Sequence, residues 1–255
     1  NKDSNGNGID DATEGFGDAN GNSIPDYLDA MPTDNVLPQQ IIDTNTYLLE
    51  CDPGVLCRIG RFALMGESGG VELLENDFEV VPDLTRDATH QPVGGIFDFE
   101  IKRLPVEGQT IRVVIPQRVT IPVDAVYRKY QSGAWKTFVE NDRNQLHSAP
   151  GNPGFCPPPG DAQWEPGLIA GYLCVQLTLE DGGPNDADGL VNKAIADPGG
   201  VSVRTQTEPP VDPEPPVNPE PPVDPKPPVT PEPPKGKKSG GAIGLMETGA
   251  ALLLL

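Results

Sequence analysis

Residues 96–102 read Ile96-Phe97-Asp98-Phe99-Glu100-Ile101-Lys102, and this stretch decides the fold class. Apolar and polar side chains alternate along it, so that Phe97, Phe99 and Ile101 fall on one face of an extended chain. A period of two is typical of a β-strand with one face packed on a core. The stretch therefore predicts a strand within a β domain.

Short segments on both sides of this strand have a similar character. They are rich in β-branched and aromatic residues and are bounded by Gly, by Pro or by the hairpin turn Ser132-Gly133. The predicted strands cover residues 110–115, 119–123, 125–131, 134–140, 172–179 and 201–205. Such spacing predicts a mainly β chain with an antiparallel β-sandwich over residues 43–206. We expect Trp135, Trp164 and the phenylalanines to lie in its core.

The cysteines and histidines indicate an oxidising compartment rather than a metal site. Four cysteines allow three disulfide connectivities, and the two short loops predict Cys51–Cys57 and Cys156–Cys174. No Cys-x-x-Cys spacing occurs, and the two histidines, His90 and His147, are isolated in the sequence. We expect both histidines to be surface residues without a catalytic or ligand role.

Two acidic loops near the N-terminus have the spacing of calcium ligands. Oxygen-bearing side chains occupy positions 1, 3, 5, 9 and 12 of each loop, and an isoleucine at position 7 offers its main-chain carbonyl. The predicted ligands are Asp3, Asn5, Asn7, Ile9, Asp11 and Glu14 in the first loop, and Asp18, Asn20, Asn22, Ile24, Asp26 and Asp29 in the second. The alternative is an acidic linker without fixed structure.

The tandem of loops, with its Gly-Ile-x-Asp and Ser-Ile-Pro-Asp cores, resembles thrombospondin type 3 repeats. That resemblance covers residues 1–34 and implies Ca²⁺ binding at an extracellular surface. Asn stands at positions 3 and 5 of both loops, Ser23 replaces the turn glycine, and Asp29 is shorter than a glutamate. We therefore expect weaker sites than those of a cytosolic sensor, suited to millimolar calcium.

A later loop is also dense in oxygen donors. Its candidate ligands for a third cation are Asp181, Asn185, Asp186, Asp188 and Asn192. The alternative is a loop held by hydrogen bonds from these side chains to the backbone, as in Asx turns.

The last fifth of the chain has a different composition. A six-residue unit beginning Pro-Pro-Val repeats through residues 208–234, and proline excludes both helix and central strand. We expect residues 207–238 to form a disordered, extended stalk that rises about 3.1 Å per residue in the polyproline II form. A basic cluster at Lys235, Lys237 and Lys238 precedes an apolar run that reaches Leu255. Since the chain starts at Asn1 and stops within that run, both ends are expected to be truncated.

The segment 239–255 begins Ser239-Gly240-Gly241-Ala242-Ile243-Gly244 and resembles the GlyGly-CTERM sorting signal of Gram-negative bacteria. The resemblance implies export, cleavage of the tail by a rhomboid-type protease, and a protein that stays at the cell surface or is released. The arginine-rich end of that signal does not occur in this sequence.

A second resemblance spans the β domain. The motifs that carry it are Tyr127-Arg128-Lys129-Tyr130, Trp135-x-x-Phe138-Val139, Gly154-Phe155-Cys156-Pro157-Pro158-Pro159-Gly160, Trp164-x-Pro166-Gly167-Leu168, Cys174-Val175-Gln176-Leu177, Glu180-Asp181-Gly182-Gly183-Pro184-Asn185-Asp186-Ala187-Asp188-Gly189 and Asp197-Pro198-Gly199-Gly200-Val201. They are similar to the choice-of-anchor U domain of bacterial surface proteins, in which Lys193 would be a glycine. The resemblance implies an exported location and no known enzymatic activity.

Charge and motifs narrow the function further. The formal net charge is −20 at pH 7, so the chain repels nucleic acid and attracts divalent cations. No nucleophile elbow, zinc-protease helix or phosphate-binding glycine loop occurs. The sequence favours a non-enzymatic, calcium-stabilised protein displayed on the cell surface, with export machinery, a sorting protease and an unknown extracellular ligand as partners. The alternative is the C-terminal anchoring portion of a larger exported enzyme or adhesin.

Overall fold

The computed structural model describes residues 2–31, 33–43 and 46–205, and this part of the chain is mainly β. The strands are β1 Val36–Pro38, β2 Leu48–Cys51, β3 Leu56–Ile59, β4 Glu72–Leu73, β5 His90–Pro92, β6 Ile96–Lys102, β7 Thr110–Pro116, β8 Val126–Gln131, β9 Ala134–Thr137, β10 Gln145–Ala149, β11 Glu165–Pro166, β12 Cys174–Glu180 and β13 Ile195–Arg204. The α-helices are short: α1 Asp11–Glu14 and α2 Asp77–Val80. Single 3₁₀ turns cover Asp26–Leu28 and Ala63–Met65.

Within the described residues the strands form two antiparallel sheets. The order in the six-stranded sheet is β1-β2-β7-β12-β10-β11. The order in the seven-stranded sheet is β3-β6-β13-β8-β9, with β4 paired to β6 and β5 paired to β13. Strand β13 is central, because it pairs with β6 through its first half and with β8 and β5 through its second.

Both sheets contribute to one apolar core. Val113, Ile115, Val175 and Leu177 come from the six-stranded sheet; Phe97, Phe99, Ile101 and Val201 come from the other. Alternation along β6 places its two phenylalanines and Ile101 in this core at 0% exposure, as the sequence predicts.

The opposite face of β6 is also covered, and there a carboxylate is buried. Asp98 is 3% exposed and accepts hydrogen bonds from the main-chain N–H groups of Phe62 (2.6 Å) and Ala63 (3.0 Å). The preceding Gly60 allows the close approach, since a Cβ there would lie 2.3 Å from the Asp98 carboxyl carbon. Asp98 thus holds the segment around Ala63 against the sheet.

The predicted disulfides are confirmed. Cys51–Cys57 joins β2 of the six-stranded sheet to β3 of the seven-stranded sheet. Cys156–Cys174 ties the proline-rich loop to the first residue of β12. Each bond closes a short loop, with sequence separations of 6 and 18. It therefore lowers the conformational entropy of the unfolded chain.

The chain divides after Thr207, and the described residues all lie in the first unit, Asn1–Thr207. The N-terminal loops belong to the first unit: Ile24 is 2% exposed within the core, and Ile59 N–H donates to Asn22 O at 3.0 Å. The predicted stalk and sorting signal, including Ser239, Gly240 and Gly241, lie outside the described residues. Within residues 2–31, 33–43 and 46–205, none of the helices has the length and apolar character needed to span a membrane.

Several sequence predictions are wrong in detail. Residues 119–123 are not a strand. Ile121 is buried and bonds to Tyr172 O, but Pro122 has no N–H to donate and the valines on either side are exposed.

The predicted core is also too large. Phe16 and Phe155 are 89% and 62% exposed, and Trp164 lies outside the core cluster, with its indole N–H donated to Pro158 O. Both histidines are partly exposed. Aromatic content alone did not distinguish residues on the inner sheet faces from residues in loops.

Candidate metal centre

The two N-terminal loops fold in the same way fifteen residues apart. At position 1 of the first loop, Asp3 accepts hydrogen bonds from Gly6 N–H (2.7 Å) and Gly8 N–H (2.9 Å). At the same position of the second loop, Asp18 accepts from Gly21 N–H (2.8 Å) and Ser23 N–H (3.0 Å). Ser23 keeps the positive φ, 79°, that Gly8 adopts without steric cost.

The closing carboxylate of each loop lies against the two asparagines. Asn5 and Asn7 donate their side-chain amides to Glu14 Oε1, at 3.1 and 2.6 Å. In the second loop Asn20 and Asn22 donate to Asp29 Oδ2, at 3.1 and 3.0 Å. Positions 3, 5 and 12 therefore converge in both loops, as the spacing predicts.

Position 9 closes the other side of each loop. Ser4 N–H donates to Asp11 Oδ1 at 2.7 Å, and Ala19 N–H donates to Asp26 Oδ1 at 2.8 Å. Partial burial raises the pKa of Asp11, but the hydrogen bonds from Ser4 and the nearby Lys2 outweigh it, so the pKa is lowered overall. Asp11 is therefore ionised at neutral pH.

The second loop is buried more deeply than the first. Asn22 is 0% exposed and Asp29 is 5% exposed. Burial raises the pKa of Asp29, and the hydrogen bonds from Met31, Asn22 and Asn20 offset this only in part. A bound cation would favour the ionised form of this carboxyl, so cation binding and ionisation are coupled here.

One oxygen of the first loop is both buried and unpartnered. Glu14 Oε1 accepts two amides, whereas Glu14 Oε2 has no hydrogen-bond partner. Buried carboxylate oxygens without partners are costly, and a cation at position 12 would satisfy this one. An asparagine amide can present its oxygen after turning about its Cβ–Cγ bond, so the donor set fits a hard cation.

The set is mixed rather than a cage of carboxylates. Nowhere in the part of the chain that the structure describes do three or more His, Cys, Asp or Glu side chains converge to hold a metal. The loops would combine Asp and Glu with Asn amides and the carbonyls of Ile9 and Ile24, which is the kind of oxygen set that Ca²⁺ accepts.

The candidate third loop is arranged differently. Asp181 accepts three main-chain N–H groups, from Gly108, Asn192 and Lys193. Asp186 accepts from Gly182 and Ala196. Asn185 is bonded twice to the backbone of Val139, and Asp188 accepts from Leu190 N–H and the Asn192 amide. These are the contacts of the Asx-turn alternative, and we propose no cation there.

A cluster that the sequence analysis missed lies inside the seven-stranded sheet. Lys129 and Asp197 are 1% and 0% exposed, with Lys129 Nζ 2.7 Å from Asp197 Oδ1. The two residues are far apart in sequence, so only the strand register brings them together.

No protein-family model, no curated protein and no solved structure matches this chain.

Proposed function

We propose that this chain is a non-enzymatic, calcium-binding protein of the bacterial cell surface. The observation that carries the proposal is the matching arrangement of loops 3–14 and 18–29, each of which brings its closing carboxylate against two asparagines. The buried, unpartnered Glu14 Oε2 supports a cation at that place.

The proposed ligands are those at positions 1, 3, 5, 7, 9 and 12. Asp3, Asp11 and Glu14 supply charge in the first loop, while Asp18, Asp26 and Asp29 supply it in the second. Asparagine amides and the isoleucine carbonyls complete the set. A bound calcium ion would stabilise the folded loop by mass action.

Calcium binding would also stabilise the β structure. The second loop is joined to the core by Ile24 and to β3 by the bond from Ile59 N–H to Asn22 O. The first loop contacts the second through the Asn5 amide, which donates to Asp26 O and Asp29 O. Ordering of the second loop should therefore protect the sheets more than ordering of the first.

The rest of the proposal concerns architecture and location. The single core shared by two antiparallel sheets supports a β-sandwich similar to the choice-of-anchor U domain. The two disulfides support an exported protein. We propose display on the stalk 207–238, and anchoring or release through the signal 239–255 by the export and sorting machinery.

Calcium titration tests the central claim. We expect two sites by calorimetry, with one lost in Glu14→Gln, one lost in Asp29→Asn, and both lost in the double variant. At a calcium concentration ten times the Kd, each site should add about 1.4 kcal/mol of stability. The rise in melting temperature should depend more on Asp29 than on Glu14, because the second loop contacts the core.

Glu107→Gln is the matched control, since it removes an exposed carboxylate outside both loops. It should bind calcium as the unaltered chain does. The proposal fails if calcium produces neither heat nor a shift in melting temperature up to several millimolar. It also fails if the two loop variants bind as the control does.

A further inference from the structure

Three buried polar side chains meet on the inner face of the seven-stranded sheet. Tyr127 and Lys129 lie on β8, and Asp197 lies on the neighbouring β13. The register pairs Gly199 with Lys129, and alternation along β13 then places Asp197 on the same face. A Cβ at Gly199 would lie 3.1 Å from Asp197 Oδ1 and 2.8 Å from the Tyr127 ring. The glycine therefore keeps open the space between the lysine and the aspartate.

The polar atoms of this cluster are poorly satisfied as an ordinary ion pair. Lys129 Nζ lies 2.7 Å from Asp197 Oδ1, but the contact lacks the angles of a hydrogen bond. Lys129 Nζ, both Asp197 carboxylate oxygens and the Tyr127 hydroxyl have no hydrogen-bond partner. Charges buried in a core need further hydrogen bonds to offset desolvation, and these are not made here. A chemical state without full charges would suit the site better.

Burial favours that neutral state. It lowers the pKa of Lys129, although Asp197, Asp186 and Asp98 act in the opposite direction. It raises the pKa of Asp197, although Lys129 acts in the opposite direction. A proton moving from the ammonium to the carboxylate gives an amine beside a carboxylic acid. An uncharged lysine amine is a nucleophile, and a protonated carboxyl carbon is an electrophile.

We propose that Lys129 and Asp197 join through an intramolecular isopeptide bond that forms as the protein folds. Lys129 Nζ attacks Asp197 Cγ, and a C–N bond forms while one Cγ–O bond breaks. The departing oxygen keeps its own proton and takes one from the nitrogen, so that one water molecule leaves. No oxidant, reductant or co-reactant is consumed.

The fold supplies the conditions for this condensation. The strand register holds the two groups in contact, which replaces a bimolecular encounter with an intramolecular one. Phe97, Phe99 and Val201 are 0–1% exposed and exclude water from the cluster, which disfavours hydrolysis of the product. The Tyr127 hydroxyl lies on the same face, and burial together with the nearby Asp197 raises its pKa, so it stays protonated.

The charged groups around the pair come from several elements. Asp98 belongs to the opposite face of β6, and Asp186 belongs to the loop before β13; both are near enough to act on the pKa of Lys129. Both carboxyls have raised pKa values of about 6, because burial disfavours their charge. Below about pH 6 these carboxyls are mostly protonated, and they then stabilise the positive charge of Lys129 less than they do above that pH.

The bond would join β8 to β13, the strand after which the chain leaves the compact unit of residues 1–207. Under the proposed surface display, force on the C-terminal tail would enter the domain through β13. A covalent link at Asp197 would keep the part of the chain before that residue from being drawn out. The inference does not depend on calcium, so the two proposals fail separately.

Peptide mapping of the 255-residue chain tests the bond. The cysteines are reduced and alkylated, the chain is digested, and the peptides are identified by mass. We expect a cross-linked pair that contains Lys129 and Asp197 and weighs one water molecule less than the two peptides together. In Lys129→Met and in Asp197→Ala the linked pair should be absent. On denaturing, reducing electrophoresis the unaltered chain should migrate faster than either variant.

Lys136→Met is the control for loss of a lysine, since Lys136 is exposed on β9. It should retain the linked peptide. Recovery of both peptides in linear form, from protein in which both disulfides have formed, would overturn the proposal. A water loss that maps to any other residue pair would overturn it as well. Because the unaltered chain gives the deciding result, poor folding of a variant does not prevent a conclusion.

Discussion

Replacing Lys129 by methionine is expected to lower the free energy of unfolding by roughly 3–5 kcal/mol, the range for removing one partner of a buried pair. Asp197 is 0% exposed and would keep a carboxyl group in the core without its only cationic neighbour among the described contacts. The expectation holds whether the pair is ionic or covalent, since both forms lose their contact. Urea unfolding with the disulfides intact measures it.

Two further variants separate the buried charge from the lysine itself. Lys136→Met, on the exposed edge of the hairpin, should change stability by no more than about 0.5 kcal/mol. Lys129→Met combined with Asp197→Leu should recover part of the loss, because it also removes the unpaired carboxyl group from the core. A loss below about 1 kcal/mol in the single variant would show that the pair contributes little to the fold.

The strands that sequence predicted best are those with simple alternation. Polar and apolar residues alternate along β6, so they lie on opposite faces of the strand. The strand begins and ends at the residues where the alternation begins and ends. The short strands β1, β2 and β3 were not predicted, because three or four residues give no clear period and two of the strands contain cysteines. Their place is fixed by pairing and by the Cys51–Cys57 bond, which are not local properties.

The N-terminal loops show what spacing can and cannot establish. Positions 1, 3, 5, 9 and 12 follow from the sequence, and the convergence at Glu14 and Asp29 agrees with them. The difference between the loops does not follow from it. Ile9 is 47% exposed and Ile24 is 2% exposed, although each stands at position 7. Only the packing of the second loop on the core distinguishes them.

The Lys129–Asp197 cluster could not be predicted for a related reason. Four consecutive residues of β8 are buried: Tyr127, Arg128, Lys129 and Tyr130. The strand therefore lacks the alternation of buried and exposed positions from which the surroundings of its polar side chains could be predicted. Asp197 precedes Pro-Gly-Gly, a combination typical of a turn, yet β13 continues through it. A lysine and an aspartate that meet only through register leave no local signal in either segment.

The second large effect is the dependence of the unfolding free energy on pH that arises from Asp98. Asp98 is 3% exposed, and burial raises its pKa to about 6 from an ordinary 3.8. The nearby charges of Glu100 and Asp197 also raise this pKa, whereas the hydrogen bonds from the Ala63 and Phe62 N–H groups lower it. The folded protein therefore holds this proton more tightly than the unfolded chain. The stabilising contribution is complete below about pH 4 and is lost as the pH rises through about 6.

We expect the difference in unfolding free energy between the unaltered chain and Asp98→Asn to fall by up to about 3 kcal/mol between pH 4 and 7, at about 1.36 kcal/mol for each unit of pKa shift. The asparagine cannot ionise but can still accept a backbone hydrogen bond, so the comparison isolates the titration. Urea unfolding at several pH values measures the difference. Taking the difference also cancels the contribution of Asp186, whose pKa is likewise about 6, because both proteins contain that residue.

Asp87→Asn is the control, because its pH dependence should have the opposite sign. Burial acts to raise the pKa of Asp87, but the hydrogen bonds from Arg128 and Thr89 outweigh it, and the pKa is lowered. Its contribution is therefore present above the pKa of the unfolded chain and is lost as the pH falls below about 4. If the difference for Asp98→Asn is flat between pH 4 and 7, the carboxyl is not held protonated against the sheet. The segment around Ala63 would then be anchored by an ionised carboxylate whose charge the main-chain N–H groups fully satisfy.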